Sequence, residues 1–265
     1  HIEFVEADEL SALRRAVSEG EIDARVAEFH ETFEVEPGCP AAELRRAAST
    51  SVALDRMVEN HALGSLAYYY KGVGIPENED AISSIILGAS LLTARGIPVA
   101  GEYEVKNAQA MKIMESFGAG GSFTEFYATD FRDDIVLMGH DGPGHIAIAQ
   151  GKTKVRALGV YHGKVGTGLS VEMSVRNGPV TLLSVVECEG GAIKLLVAEG
   201  ESVPGPILEI GNTNSRYRFP IGARRFIENW SAEGPAHHCA VGAGHIAAQI
   251  SKLGRLLNME VTKVC

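Results

Sequence analysis

Apolar and polar positions follow two different rhythms along this chain. Through the first hundred or so residues, helix-period segments are separated by short apolar runs. The segment "DELSALRRAVSEG" places Leu10, Leu13 and Val17 on one helical face and stops at Gly20. "EIDARVAEFHETF" and "PAAELRRAASTSVALDRMVENHA" predict two more helices, the second opening on Pro40 at a first-turn position. "NEDAISSIILGASLLTARG" predicts a helix with an acidic first turn and a stop at Gly96, and "VKNAQAMKIMESFG" predicts another. Between them, "IEFVE", "GSLAYYY" and "IPVAGE" predict short strands. This alternation predicts an α/β domain over residues 1–118, with crossover units on a parallel sheet.

From about Gly118 the pattern turns to short extended runs punctuated by glycine. "SFTEFYATDF", "DIVLMGH", "HIAIAQ" and "GPILEI" are examples. Asn177-Gly178, inside "SVEMSVRNGPVTLLSVV", predicts a hairpin turn, and "EGG" at 189–191 a second turn. The tail "PAHHCAVGAGHIAAQISKLGRLLNM" reads as a helix weakened by Gly242, Gly244 and Gly254, with "EVTKV" as a closing strand. Residues 119–265 are therefore expected to form a mostly antiparallel, β-barrel-like domain with a C-terminal helix.

Composition narrows the function classes. The 265 residues are 45% hydrophobic and 22% charged, ordinary for a globular protein with an ample core. A formal net charge of −10 argues against nucleic acid or an anionic membrane surface as partner. Cys39, Cys188, Cys239 and Cys265 are scattered without a C-x-x-C pair, which fits a reducing compartment. No apolar run approaches the ~18 residues of a membrane span, and no basic-then-apolar leader opens the chain. A cytoplasmic location follows as an expectation. The chain opens on His1 rather than methionine, so the first domain is expected to be incomplete at its N-terminus.

Several positions can carry chemistry. Glu102 ends the strand candidate "GIPVAG" just before a helix, where crevices form in open α/β sheets; a solvated loop carboxylate is the alternative. Glu125 alternates with Phe123 and Tyr127, either on a partly apolar wall or outward on a strand edge. His140 leaves an apolar strand into the turn "DGPGH", where Asp141 and His145 follow, and the same turn has purely backbone reasons to exist. His237 and His238 are adjacent; on a helix they would diverge by about 100°, so at most one would enter a given site. His245 falls on roughly the face of His238 in that reading. Cys239 beside His238 suits core packing better than a catalytic pair.

Other motifs fail. "FGAGGSF" lacks the lysine and spacing of a Walker loop, and there is no G-x-S-x-G or H-E-x-x-H. Two glutamates and two histidines without a cysteine ligand form a mixed nitrogen and oxygen set, which suits Mn²⁺, Mg²⁺ or a similar ion better than a structural Zn²⁺.

The order of these features adds information. "GEYE" (101–104), "GGSFTEFY" (120–127), "IVLMGH" (135–140) and "GPAHHC" (234–239) occur in the order of four L-arabinose isomerase segments, G-E-G-D, G-G-T-S-F-M-E-D-Y, L-V-L-G-S-H and G-G-A-H-H. The chain thus resembles the middle and C-terminal domains of the arabinose/fucose isomerase superfamily. The resemblance implies that Glu102, Glu125, His140 and His238 bind a divalent cation, usually Mn²⁺, with Mg²⁺ or Co²⁺ as alternatives. It implies that Glu102 and Glu125 move a proton between C1 and C2 of an open-chain sugar through an enediol. Asp141, His145 and His237 are left as candidates for contact with the sugar, and a homo-oligomer (trimer or hexamer) with the site near a subunit interface is expected. The chain departs from the family at "GEYE", "TEFY" and "DGPGH", residues that would line a sugar pocket. A non-catalytic sugar-binding or regulatory relative is the alternative from another class; a metal-dependent hydrolase or lyase on the same scaffold is a third.

Overall fold

The computed structural model describes every residue except 73, 159, 162, 163, 166 and 167. Helices α1 (Ala7–Arg15), α2 (Glu19–Thr32), α3 (Ala41–His61), α4 (Pro76–Ile82), α5 (Ile86–Ala94) and α6 (Val105–Ser116) dominate the first part of the chain. Strands β1 (Glu34–Val35), β2 (Leu66–Ala67) and β3 (Val99–Ala100) lie between them. Then come β4 (Ser122–Asp130), β5 (Ile135–His140), β6 (Lys154–Ala157), β7 (Val160–Tyr161), β8 (Lys164–Val165) and β9 (Leu169–Glu172). Strands β10 (Gly178–Glu187), β11 (Ile193–Val203) and β12 (Thr213–Arg218) precede α7 (Ala223–Ala232). The chain closes with β13 (His238–Ala243), α8 (Ala247–Leu257) and β14 (Glu260–Lys263).

Local rules account for several helix ends. Ser18 and Glu21 form a reciprocal capping box at the start of α2, satisfying two of its free amides. In α1, Asp8 and Glu9 sit in the first turn and Arg14 and Arg15 in the last, matching the helix dipole. Helices α3 and α5 approach so closely that a Cβ on Gly88 would lie 2.7 Å from the Ser51 backbone, so glycine is required there. Phe29, Leu44, Leu54 and Leu87 anchor this helical core, which also takes in Val155 and Val171 from β6 and β9.

Parallel pairing between strands of the first part reduces to β2 on β3. β1 pairs in parallel with the later strand β6, in a three-stranded sheet completed by β9. "IEFVE" forms no strand; it pairs with no strand among the described residues, and Phe4 is exposed. "GSLAYYY" is extended only at Leu66–Ala67, because its partner turns away at Gly101 and Tyr69 stacks on Tyr103. The helix expected over "NEDAISSIILGASLLTARG" is two. Ser83 and Ser84 bond back to the Asp80 carbonyl between them, and Arg46 takes the same oxygen.

The larger sheet has the order β10-β13-β4-β5-β12-β11-β14, with β10 pairing β11 as well. Every pairing in it is antiparallel except β11 with β14. Two expectations change here. The Asn177-Gly178 step is not a hairpin: β9 belongs to the other sheet, and β10 pairs instead with β11 across the turn at 189–191. The segment "HHCAVGA" is not helical. From His238 on it is β13, buried throughout, and its insertion between β4 and β10 overrides the helix-friendly alanines; the helix starts only at Ala247.

One core fills the space enclosed by Val136, Leu182, Leu196, Tyr217, Phe226 and Trp230. Another lies under α6, where Met111 and Met114 pack on Phe123, Leu183 and Ala240. No helix is long and apolar enough to cross a membrane among the described residues.

The segment before α1 is tied down by one histidine. His61, at the end of α3, meets Glu3 at 2.5 Å through Nδ1 and Glu9 at 2.7 Å through Nε2. Glu9, then Glu3, holds its imidazole above the usual 6.5. A raised folded-state pKa gives a contribution fully present below 6.5 and lost as pH rises through the higher folded value. His61→Gln should therefore lower the thermal midpoint at about pH 6 and have no effect at about pH 9. Equal effects at both pH values would show that the clamp does not depend on the charged imidazole.

Candidate functional site

Strand β4 sets the geometry. Glu125 lies directly opposite His238 of β13 and opposite Gly139 of β5, while Phe123 lies opposite Ala240. Directly paired residues share a sheet face, so Glu125 and His238 project together toward α6. A bulge between Phe126 and Ala128 then bends β4 at Tyr127, beside the cluster.

The turn before α6 closes the arrangement from the other side. Glu102 and Tyr103 both hold left-handed backbone angles, φ 57° and 58°. Residues with a Cβ disfavour this conformation by about 1–2 kcal/mol each. Hydrogen bonds from the Tyr103 amide to Tyr68 and from the Glu104 amide to Gly101 hold the turn. The Glu102 carboxylate thereby comes 3.5 Å from His140 Nε2 and 3.9 Å from His238 Nε2. Phe123 packs against both imidazoles, with ring centroids at 4.4 Å and 4.5 Å.

Two overlapping groups result. Glu102, His140 and His238 form one, and Glu125, His237 and His238 the other, each with its ligand atoms within 4.8 Å of one another. His140 and His238 are buried, and His140 Nδ1 and His238 Nε2 have no hydrogen-bond partner. Buried polar atoms normally find one. The unpartnered Nε2 of His238 and the Nε2 of His140 both face the Glu102 carboxylate, an arrangement that suits a divalent cation, so the residues fit a metal.

His238 is also oriented. Its Nδ1 lies 3.3 Å from Glu104 Oε1, which leaves Nε2 pointing at Glu102. A carboxylate holding the far nitrogen of a ligating histidine is the usual support for a metal ligand. The bond to His238 keeps the Glu104 carboxyl below its ordinary range, against the opposing effect of burial.

The remaining candidates divide. His237 is exposed, and its Nε2 lies 3.9 Å from Glu125. Asp141 accepts a 3.3 Å bond from Asn212 Nδ2, which also donates to the Tyr127 hydroxyl at 3.0 Å. Burial, then the charges of Asp141 and Glu125, pushes the Tyr127 phenol well up. It stays protonated, with its own O–H free to donate. His145 is not brought to this cluster; its buried ring pairs with Glu115 of α6 at 2.9 Å. His245 bonds the Gly200 carbonyl at 3.0 Å, so it shares no helical face with His238. Burial, reinforced by Glu125, keeps the Cys239 thiol protonated, which fits a packing residue.

Glu104 and Asn212 are the polar groups that sequence reasoning missed. Glu104 had a signal in its two-residue spacing from Glu102; Asn212 had none, because only β12 pairing with β5 brings it near.

Together these features define a mixed α/β protein with a carboxylate–imidazole cluster suited to a divalent metal. The sequence profile described as the L-arabinose isomerase C-terminal domain matches residues 120–260, and the chain belongs to that family. The match includes Glu125, His140, His237 and His238, whereas Glu102 and Glu104 precede it. No curated protein matches the chain. Family membership points to sugar isomerisation and carbohydrate metabolism.

If Glu104 orients His238, Glu104→Ala should weaken Mn²⁺ binding by about 10- to 100-fold in calorimetric titration. Affinity within about twofold of wild type would remove Glu104 from that role.

Proposed function

We propose that this protein is a divalent-metal-dependent aldose–ketose isomerase acting on an open-chain sugar. The observation that carries the reading is the pair of buried imidazoles with unpartnered nitrogens, facing Glu102 and flanked by Glu125. Glu102, Glu125, His140 and His238 would hold Mn²⁺, or Mg²⁺ or Co²⁺ in its place. When bound, the ion supplies Lewis-acid polarisation of the substrate oxygens beside it.

The protein's own groups do the rest. Glu102 and Glu125 are partly exposed, so a substrate reaches them. One takes the proton from the carbon next to the carbonyl, and the same or the other carboxylate returns it to the former carbonyl carbon through an enediol, while the proton leaving the C2 hydroxyl is balanced by one gained at O1. The buried imidazoles hold position. His237, Asp141 and the neutral Tyr127 would meet sugar hydroxyls, while His145, held by Glu115, would shape the turn. We read the larger sheet as barrel-like, since β10 pairs with both β13 and β11 and the pairings return to their start. Such a sheet leaves no free edge beside β4, β5 and β13.

Glu125→Gln and His238→Ala should each lose Mn²⁺ affinity relative to wild type; unchanged binding in both would sink the site. Incubated with Mn²⁺ and a panel of aldoses in D₂O, the wild type should place deuterium at C1 or C2. Metal binding without exchange on any aldose would favour a non-catalytic sugar-binding protein.

A further inference from the structure

Tyr103 stands out beside the cluster. It takes a left-handed backbone conformation, φ 58°, that favours glycine, yet its side chain is 66% exposed and recovers little by burial. Its ring stacks on Tyr69 at 5.0 Å with planes 8° apart, and Tyr69 contacts Tyr70 in turn at 4.7 Å. One face of Tyr103 is thus backed by a second aromatic, and the ring remains largely open to solvent. The preceding residue is Glu102, whose carboxylate faces His140 and His238. The same wall continues to Tyr68: a Cβ on Gly142 would lie 3.4 Å from the Tyr68 hydroxyl and 3.8 Å from His140 Nδ1. Strand β2, the 101–104 turn and the 141–144 turn therefore meet at the mouth of the cluster.

We infer that the open face of Tyr103, backed by Tyr69, receives the carbon face of a polyhydroxylated substrate while the substrate's oxygens lie at Glu102, His140 and His238. The inference rests on the isomerase reading and adds a specificity-determining residue to it. A flat aromatic wall suits the C–H groups along part of a polyol chain while other hydroxyls stay free for polar partners, and it gives the disfavoured backbone angle at Tyr103 a use. The acidic surroundings select a neutral ligand over an anionic one.

The Mg²⁺-loaded chain, whose ion is diamagnetic, is tested with L-arabitol and ribitol, unreactive polyols, by saturation-transfer NMR, and Mn²⁺ affinity is measured separately by calorimetric titration. Wild type should pass saturation to the carbon-bound protons of at least one polyol. Tyr103→Gly relaxes the backbone, so its thermal midpoint should equal or exceed that of wild type. Its Mn²⁺ affinity should be unchanged, and its polyol dissociation constant should rise roughly three- to tenfold. Tyr103→Phe, which keeps the stack, should bind polyol within about twofold of wild type. Wild-type polyol affinity in Tyr103→Gly overturns the inference alone. Loss of Mn²⁺ affinity in Tyr103→Gly also overturns it, by assigning the residue to the turn. Mn²⁺ binding by wild type without binding of either polyol overturns the sugar reading itself, and this inference with it.

Discussion

Asn107, buried on α6, donates its Nδ2 to the Cys239 carbonyl of β13 across 3.1 Å, and the position of the whole site follows from how this helix lies on the sheet. Around the bond, Met111 and Met114 pack on Phe123, Leu183 and Ala240. The helix sits so close that a Cβ on Gly121 would lie 2.7 Å from the Met111 carbonyl. Because α6 cannot slide, the turn at its N-terminus is fixed over β13. Glu104 then reaches His238 Nδ1, and Glu102 reaches Nε2.

Magnitudes explain why an unfavourable turn persists there. Left-handed angles at Glu102 and Tyr103 cost about 1–2 kcal/mol each. Fully burying one large apolar side chain contributes about 1.5–3 kcal/mol, and Met111, Met114 and Phe123 are all buried between helix and sheet. Packing therefore outweighs the backbone penalty. The strain falls at the residue that supplies a carboxylate to the cluster, which is where proteins commonly carry it.

The site was more legible in the sequence than the fold around it. Glu102, Glu125 and His140 each lie in or at the end of an apolar run, so a local reading could place them on strands or at strand ends without knowing the topology. Chain order then linked them to the histidine pair. What a local reading could not reach was set by distant partners. β13 is a strand because β4 and β10 close on it, not because of its own alanines. The Asn177-Gly178 step failed as a hairpin because β9 had already paired with β6. Asn212 entered the site only through β12. The expected parallel sheet shrank to two residues on each strand because the chain turns at Gly101 to form the site.

Reading the histidine pair as strand rather than helix changes its chemistry. On a helix, neighbours diverge by about 100° and only one could serve the cluster. Here His238 is the first residue of β13, directly opposite Glu125, while His237 stands just outside the ladder. A residue before a strand is free of the strict alternation that binds those within it. His237 can therefore remain 67% exposed and still bring its Nε2 within 3.9 Å of Glu125. The two histidines thus stand in different settings. His238 is buried, oriented by Glu104 and suited to holding a cation. His237 meets solvent beside Glu125, so in the isomerase we propose it is the imidazole an arriving substrate would reach first.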